Sequence, residues 1–408
     1  MELPKSGTPK DELIARMRER KEADADWRGG KTWSLVYPAG DDVDELLYEA
    51  NNLYLYENAL NPFRFPSLAQ MEREVVEMTA NLLNAPDTSG GCMTSGGTES
   101  IILAVLTARE RAKAERGVTE PELLIPRSAH PAFAKAAKVL GLTLRKIPLR
   151  DDLRADVDAA KELITDNTAL VVGSAPNYPH GMIDDIPALA ALASARGVAF
   201  HVDCCVGGFL LPFLERAGYV FPTFDFRVDG VSTMSADVHK YGFATKGASV
   251  VVHRDRDHLM RHQLFMYDEW PGGLYGSMAM AGARPAAPVA AAWAVMNFLG
   301  EDGYVRLATR TKQTADALRA GIEAIEALHV LGDPPATLLA FGSTDRDIMA
   351  VGDVMDDRGW HLDRQSDPDA LHMMVSPEHD RIVDAFLSDL RDAVATAGVS
   401  RGVEARYS

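Results

Sequence analysis

At 408 residues and 47% hydrophobic, the chain can bury a large core and is long for one domain, so two are expected. A formal charge of −17 argues against nucleic acid or an anionic membrane as partner and indicates solubility. Three cysteines, two of them adjacent, cannot form a disulfide framework, and a reducing cytoplasm is the expected compartment.

The chain starts without an apolar leader and reads as a polar tail entering a charged helix over 11–24. Its longest apolar runs are broken well short of a membrane span. Residues 1–60 read as an irregular arm with a second helix over 41–54. Tyr37, Asn58, Asn61 and Arg64 are the polar side chains to watch there, although spacing alone favours an arm that simply docks onto a core.

From Ser67 helices and strands alternate. Helical spacing at Met71, Val75, Val76, Met78 and Leu82 follows a weak cap, and another helix begins after Gly97. Short apolar runs recur at 123–125, 142–147, 169–172, 198–202, 228–234 and 249–252, the first several separated by helical stretches at 131–140, 156–164 and 187–195. The pattern predicts an α/β fold with a mainly parallel sheet covered by helices on both faces, here assigned to residues 61–295. Ligands of such sheets bind beyond the carboxyl ends of the strands. A glycine-rich loop at 270–277 and a break at 282–285 precede a long helix from about Val289. That helix leads into a small α+β C-terminal domain over 296–408.

Three stretches carry chemistry. In Ser235-Ala236-Asp237-Val238-His239-Lys240, the lysine lies just beyond a buried strand, where burial beside His239 would favour its use as a Schiff-base nucleophile. Asp203 ends another strand, 37 residues earlier. Alone it would read as a turn residue, but one buried strand from the lysine it suits a pyridinium nitrogen. Ser95, Gly96, Gly97 and Thr98 open a helix and offer N–H groups and hydroxyls to a phosphate. No Gly-Lys-Ser/Thr follows, so this is not a nucleotide P-loop. Together these are what pyridoxal phosphate needs from a protein, and that cofactor is expected. His130, after the run 123–125, would stack on the flat ring. His201 reads as structural. His258 and His262 lie four apart without a carboxylate motif, so no metal site is expected.

With these stretches in hand, the sequence resembles the sphingosine-1-phosphate lyase branch of the pyridoxal-dependent group II decarboxylase superfamily, of fold type I. The resemblance runs from about Trp33 to about Ala395. It rests on TSGGTES (94–100), HPAFAKAA (130–137), APNYPHGMIDDIPALA (175–190), HVDCCVGGF (201–209), FDFRVDGVSTMSADVHKYGFATKG (224–247), WPGGLY (270–275) and AGARP (281–285). It implies Lys240 as the Schiff-base lysine, Asp203 as partner of the pyridine nitrogen, His130 as the stacking ring, and Gly97 and Thr98 as phosphate ligands. It also implies His239 and Lys246 as active-site cations, Lys246 facing a substrate phosphate. Tyr37 and Asn58 match arm residues that enter the site in the family's homodimer. The chain departs from the family at Asn61, where a phosphate-binding histidine usually stands. Cys204 replaces an alanine beside the cofactor, and Ala283, Ala286 and Ala287 replace serine and glycines. The membrane anchor of the eukaryotic members is absent from this sequence.

The resemblance implies a homodimeric carbon–carbon lyase of sphingolipid metabolism, cleaving a phosphorylated 2-amino-3-hydroxy long-chain base. An amino-acid decarboxylase on the same scaffold is the rival. It would want an arginine clamp for a carboxylate, with Arg64 and Arg284 as candidates. A catalytically idle binding protein is a third reading, opposed by the retention of both Lys240 and Asp203.

Overall fold

The computed structural model describes residues 1–402. Helices α1 (Lys10–Lys21) and α2 (Asp41–Leu53) belong to the N-terminal arm, and α3 (Pro66–Leu82) leads into the large sheet. Its strands are β1 (Gly90–Thr94), β2 (Glu122–Pro126), β3 (Thr143–Ile147), β4 (Thr168–Ser174), β5 (Ala199–Asp203), β6 (Val231–Ala236) and β7 (Ser249–His253). Between them run α4 (Gly97–Arg116), α5 (Ala132–Leu140), α6 (Val157–Leu163), α7 (Ile186–Ala195) and α8 (Leu211–Arg216). The helix ends follow local chemistry: Asp156 and Asp185 cap α6 and α7 with their carboxylates, and Gly117 and Gly141 close α4 and α5 in the left-handed region.

The spatial order is β1-β7-β6-β5-β4-β2-β3. Strands β3, β2, β4, β5 and β6 are parallel neighbours, while β7 runs antiparallel to both β6 and β1. Strands β2, β4 and β5 are buried at every position, as a sheet covered on both faces requires. The reversal of β7 follows from its connection: residues 237–248 contain no crossover helix to carry the chain back to a parallel start. Lys240 therefore sits in a loop that turns back directly at the carboxyl end of β6.

After β7 come α9 (Arg256–His262) and an exposed hairpin of β8 (Phe265–Tyr267) and β9 (Tyr275–Ser277). Helix α10 (Ala287–Glu323) is interrupted at Gly300, whose φ of 55° breaks the helical path. A second sheet follows, ordered β10 (Leu328–Val330), β11 (Leu338–Ser343), β13 (Ala370–Met374), β12 (Asp363–Gln365), with α11 (Ile348–Asp357) and α12 (Val383–Thr396) packed on it. The arm docks here. Trp33 is 1% exposed, stacks near Trp360 and meets Phe386 edge-on at 4.7 Å, and its carbonyl accepts the Met374 N–H.

Candidate active site

The loop after β6 faces the N-terminus of α4 across a cavity of about 310 Å³. Its walls are residues 95–99 and Ile101, His130 from the turn after β2, Cys205 just past β5, and Asp237, His239 and Lys240. The lysine and the glycine turn, far apart in sequence, thus share one chamber.

Lys240 Nζ stands 3.1 Å from Asp237 Oδ2, and His239 Nε2 lies 3.6 Å from the same oxygen. Burial raises the Asp237 carboxyl, but the charge of Lys240 and then His239 outweigh it and hold the group below its ordinary value. His239 is pushed down to about 4, first by burial, with Asp237 opposing and Lys246 and Lys240 adding to the fall. At neutral pH it is an uncharged ring, in contrast to the cation that the resemblance implies.

Asp203 stands behind the chamber wall. Its Oδ1 accepts the Cys205 N–H at 3.0 Å and the Ser235 hydroxyl at 3.4 Å. His201, fully buried, bonds Thr233 Oγ1 at 2.8 Å and Ser235 Oγ at 3.2 Å, so it braces the hydroxyl that braces Asp203. His130 is lowered by burial, while the Asp203 charge pulls it back up. The Ala132 N–H donates to its Nδ1 at 3.1 Å, which fixes that nitrogen as an acceptor.

At the helix start, Glu99 Oε2 accepts from the Ser95 N–H at 2.8 Å and the Ser95 hydroxyl at 2.6 Å. That hydroxyl is therefore committed to holding the turn. A Cβ on Gly97 would fall 2.8 Å from Cys205 Sγ and 2.9 Å from Asp237 Oδ2, so only glycine permits this approach. Two buried atoms of the chamber, Asp237 Oδ1 and His239 Nδ1, are poorly satisfied, with Ser249 and the backbone of Ala248 near Asp237 and His239 but no well-aligned bond to either atom. Buried polar atoms are rarely left so, and beside a helix N-terminus they mark a chamber built around a polar ligand. The residues fit pyridoxal phosphate: an amine for the aldehyde, a carboxylate for the ring nitrogen, and N–H groups for the phosphate.

Lys246 and Tyr37 do not line this chamber; they meet each other beside His239. Lys246 Nζ donates to the His239 carbonyl at 2.9 Å and stands 4.5 Å from the centroid of the Tyr37 ring. Tyr37 Oη lies 2.9 Å from Met374 Sδ. Lys246 reaches solvent, yet the surrounding protein pushes its ammonium down to about 8, with the Lys240 charge adding to the effect.

Asn58 and Asn61 are not brought to this chamber within one chain. Asn58 Oδ1 accepts the N–H groups of Leu60 and Arg284 at 3.0 and 3.1 Å. Asn61 Oδ1 accepts those of Phe63 and Arg64, both at 3.1 Å, in a turn bordering a separate cavity of about 560 Å³. Arg64 is exposed. Arg284 holds Glu72 through both carboxylate oxygens at 2.7 and 2.9 Å and also donates to the carbonyls of Met93 and Ala59. His258 and His262 each stand 3.8 Å from Glu115 Oε1 at the C-terminal end of α4, the end away from the chamber.

Sequence reasoning gave no role to four residues of the chamber, Glu99, Ile101, Cys205 and Asp237. Cys205, rather than Cys204, lines it; Cys204 Sγ turns away to the Ala175 carbonyl at 3.3 Å. Cys205 lies in the turn just past β5, where the Asp203 carboxylate accepts its N–H. Asp237 was quoted within its motif without a role, although a carboxylate three residues before a buried lysine is a natural ion-pair partner. A further cavity of about 580 Å³ shares His130 and runs to the small sheet, where the Tyr178 hydroxyl donates to Asp363 Oδ2 at 2.7 Å.

Residues 29–343 match the pyridoxal-dependent decarboxylase conserved domain. The chain is 43% identical over 399 residues to the sphingosine-1-phosphate lyase of Arabidopsis thaliana, an alignment covering 96% of this chain and 73% of the plant protein. It is 32% identical over 396 residues to the L-aspartate/L-glutamate decarboxylase of Pyrococcus horikoshii, covering 97% of this chain and 100% of the other. The solved structure of the Burkholderia pseudomallei sphingosine-1-phosphate lyase superposes with a TM-score of 0.94 at 39% identity, covering 97% of this chain and 93% of that one.

Proposed function

The chain belongs to the pyridoxal-dependent decarboxylase family, and from that premise we propose a carbon–carbon lyase that cleaves a phosphorylated 2-amino-3-hydroxy long-chain base to an aldehyde and phosphoethanolamine. Its fold is the type I fold of pyridoxal-phosphate enzymes, and its cofactor is pyridoxal phosphate. Bound there, the cofactor supplies a covalent anchor for an amine and an electron sink for the bond broken at Cα.

The chain's own residues divide the remaining work. Lys240 presents its Nζ to the chamber and Asp203 offers a carboxylate held by Cys205 and Ser235. His130 forms one wall and Cys205 another, leaving room for a flat ring. The N–H groups at Gly97 and Thr98 orient a phosphate by the positive end of α4. Lys246, beside the Tyr37 ring and bonded to the His239 carbonyl, offers a second cation for the phosphate of the substrate.

The observation that carries the lyase reading over the decarboxylase one is that neither candidate arginine, Arg64 or Arg284, lines the chamber. Arg284 is half-buried and engaged by Glu72 and two carbonyls, which leaves it no face for a substrate carboxylate, and Arg64 is exposed, whereas Lys246 holds the carbonyl of the chamber residue His239. The test is product analysis with phosphorylated sphingoid bases against a panel of amino acids. Aldehyde and phosphoethanolamine from the former support the lyase; carbon dioxide from an amino acid, with no aldehyde from any base, overturns it. Purified protein should be yellow, and borohydride should abolish the band while fixing the cofactor to Lys240. Lys240→Ala should lose both adduct and turnover.

A homodimer completes the proposal. Tyr56 and Phe63 of the arm and Trp270 and Leu274 of the hairpin region are exposed apolar side chains. A second copy covering them would remove an apolar surface that a lone chain shows to water. The three cysteines are free and buried, in keeping with a reducing cytoplasm.

A further inference from the structure

Asp237 is a buried carboxylate that the cofactor's usual needs do not explain. Asp203 is the carboxylate proposed for the ring nitrogen, and Asp237 is a second carboxylate, within Lys240's own loop, its backbone N–H donating to the Cys205 carbonyl at 3.3 Å. Its side chain is 2% exposed, with Oδ2 3.1 Å from Lys240 Nζ and Oδ1 without a well-aligned hydrogen bond. A buried ion pair of this kind adds little stability over an apolar pair, because desolvation offsets the attraction. Stability is therefore a poor reason for its presence. The lysine amine, however, must exist in two conditions, joined to the cofactor and released when a substrate amine takes its place. Released into a dry chamber, an ammonium is costly unless a negative charge is already in position.

We infer that Asp237 is the fixed counter-ion of Lys240, placed to hold the amine as an ammonium whenever it is released from the cofactor. The close approach of Gly97 serves the same arrangement, since any larger residue would press on the carboxylate that faces the lysine. The other ionisable groups of the chamber and its surroundings are His239, His130, Asp203, Cys205, Lys246 and Glu99, the last held by Ser95 and the Met280 N–H. Tyr241 lies behind, its hydroxyl tied to Thr337 and the Val375 carbonyl. Cys205 is raised well above its ordinary value by burial and His239 is lowered to about 4, again chiefly by burial. Neither competes as a charge near neutral pH. Among these groups Asp237 is the carboxylate in ion-pair contact with the amine.

The inference rests on Lys240 being the cofactor-bearing lysine, and the experiment separates the two. Full-length protein stripped of cofactor is mixed with pyridoxal phosphate across a pH series. Capture is read from absorbance, and the borohydride-fixed adduct is located by mass spectrometry. Only the neutral amine reacts, so removing the counter-charge with Asp237→Asn should move the midpoint of capture to lower pH by about one unit or more. Near neutral pH that is a capture rate about tenfold faster. Asp237→Glu should restore most of the wild-type midpoint. An adduct on Lys240 with the same midpoint in wild type and Asp237→Asn overturns the counter-ion role alone. No adduct on Lys240 in wild type overturns both readings. Should Asp237→Asn fail to fold, Lys240→Met reads the pair from the other side. The orphaned Asp237 carboxyl would then be raised by burial. Its cost appears as pH rises past the unfolded carboxyl's range, so the melting-temperature gap to wild type should widen between about pH 5 and 8. A gap constant across that range overturns the inference.

Discussion

Lys246 is a cation below about pH 8, because the surrounding protein, and then the charge of Lys240, make its ammonium costly. If it grips a substrate phosphate, the Michaelis constant for a phosphorylated long-chain base should climb by up to about tenfold per pH unit above that point. Lys246→Met should be weak throughout and lack that climb; a parallel climb in the variant would assign the titration elsewhere. Stability moves the other way. A lysine whose folded value is depressed destabilises the fold while it is charged, and that penalty is relieved as pH rises from about 8 towards the unfolded value. Asp203 offers a second test at this scale. Asp203→Ala removes the carboxylate held by Cys205 and Ser235, and turnover should drop by about a hundredfold or more while the cofactor still binds. Near-normal turnover would move the ring nitrogen away from β5. At this scale the lysine, the aspartate and the glycine turn were legible because each follows a strand or opens a helix. Asn61 was not, because an asparagine before proline reads equally as a turn or a ligand, and within one chain its oxygen caps the turn.

The element that concentrates these constraints is the start of α4. Gly97→Ala would force a methyl into Cys205 Sγ and the Asp237 carboxylate. Overpacking of this kind costs about 1–3 kcal/mol, and the helix start should yield because the core behind it cannot. Cofactor affinity should therefore fall at least tenfold with a smaller loss in melting temperature; unchanged affinity would show that the phosphate does not rest there. The loop carrying Arg284 is a second joint. Arg284→Met strips Glu72 of its partner and releases the Ala59 and Met93 carbonyls, and should destabilise by about 2 kcal/mol, given the pair's partial exposure. Thermal denaturation measures it. Buried strands β2, β4 and β5 could be found from apolar runs alone, since every position is covered. Strand β1 could not, because Gly90 and Gly91 open it and its burial begins only at Cys92. The β8–β9 hairpin was equally hidden, its three β8 residues all lying exposed.

For the molecule as a whole, the homodimer is the open prediction. Sedimentation should give twice the chain mass, and charged replacements of Phe63 and Trp270 together should yield monomers with sharply reduced turnover. Active monomers would separate the arm's apolar surface from the chemistry. The pairing of β1 with β7 has a consequence of another kind. Gly90 meets His253 and Thr94 meets Ser249, so one margin of the sheet joins stretches separated by most of the large sheet's sequence. Contacts this distant along the chain close late, and during synthesis the ribosome must deliver β7 before β1 has a neighbour. The phosphate turn hangs directly from β1. A nascent chain therefore cannot hold the cofactor until β7 has emerged, although β2 to β6 can assemble before it. Released chains truncated near residue 245 should fold that parallel block and resist proteolysis there, yet leave pyridoxal phosphate in solution.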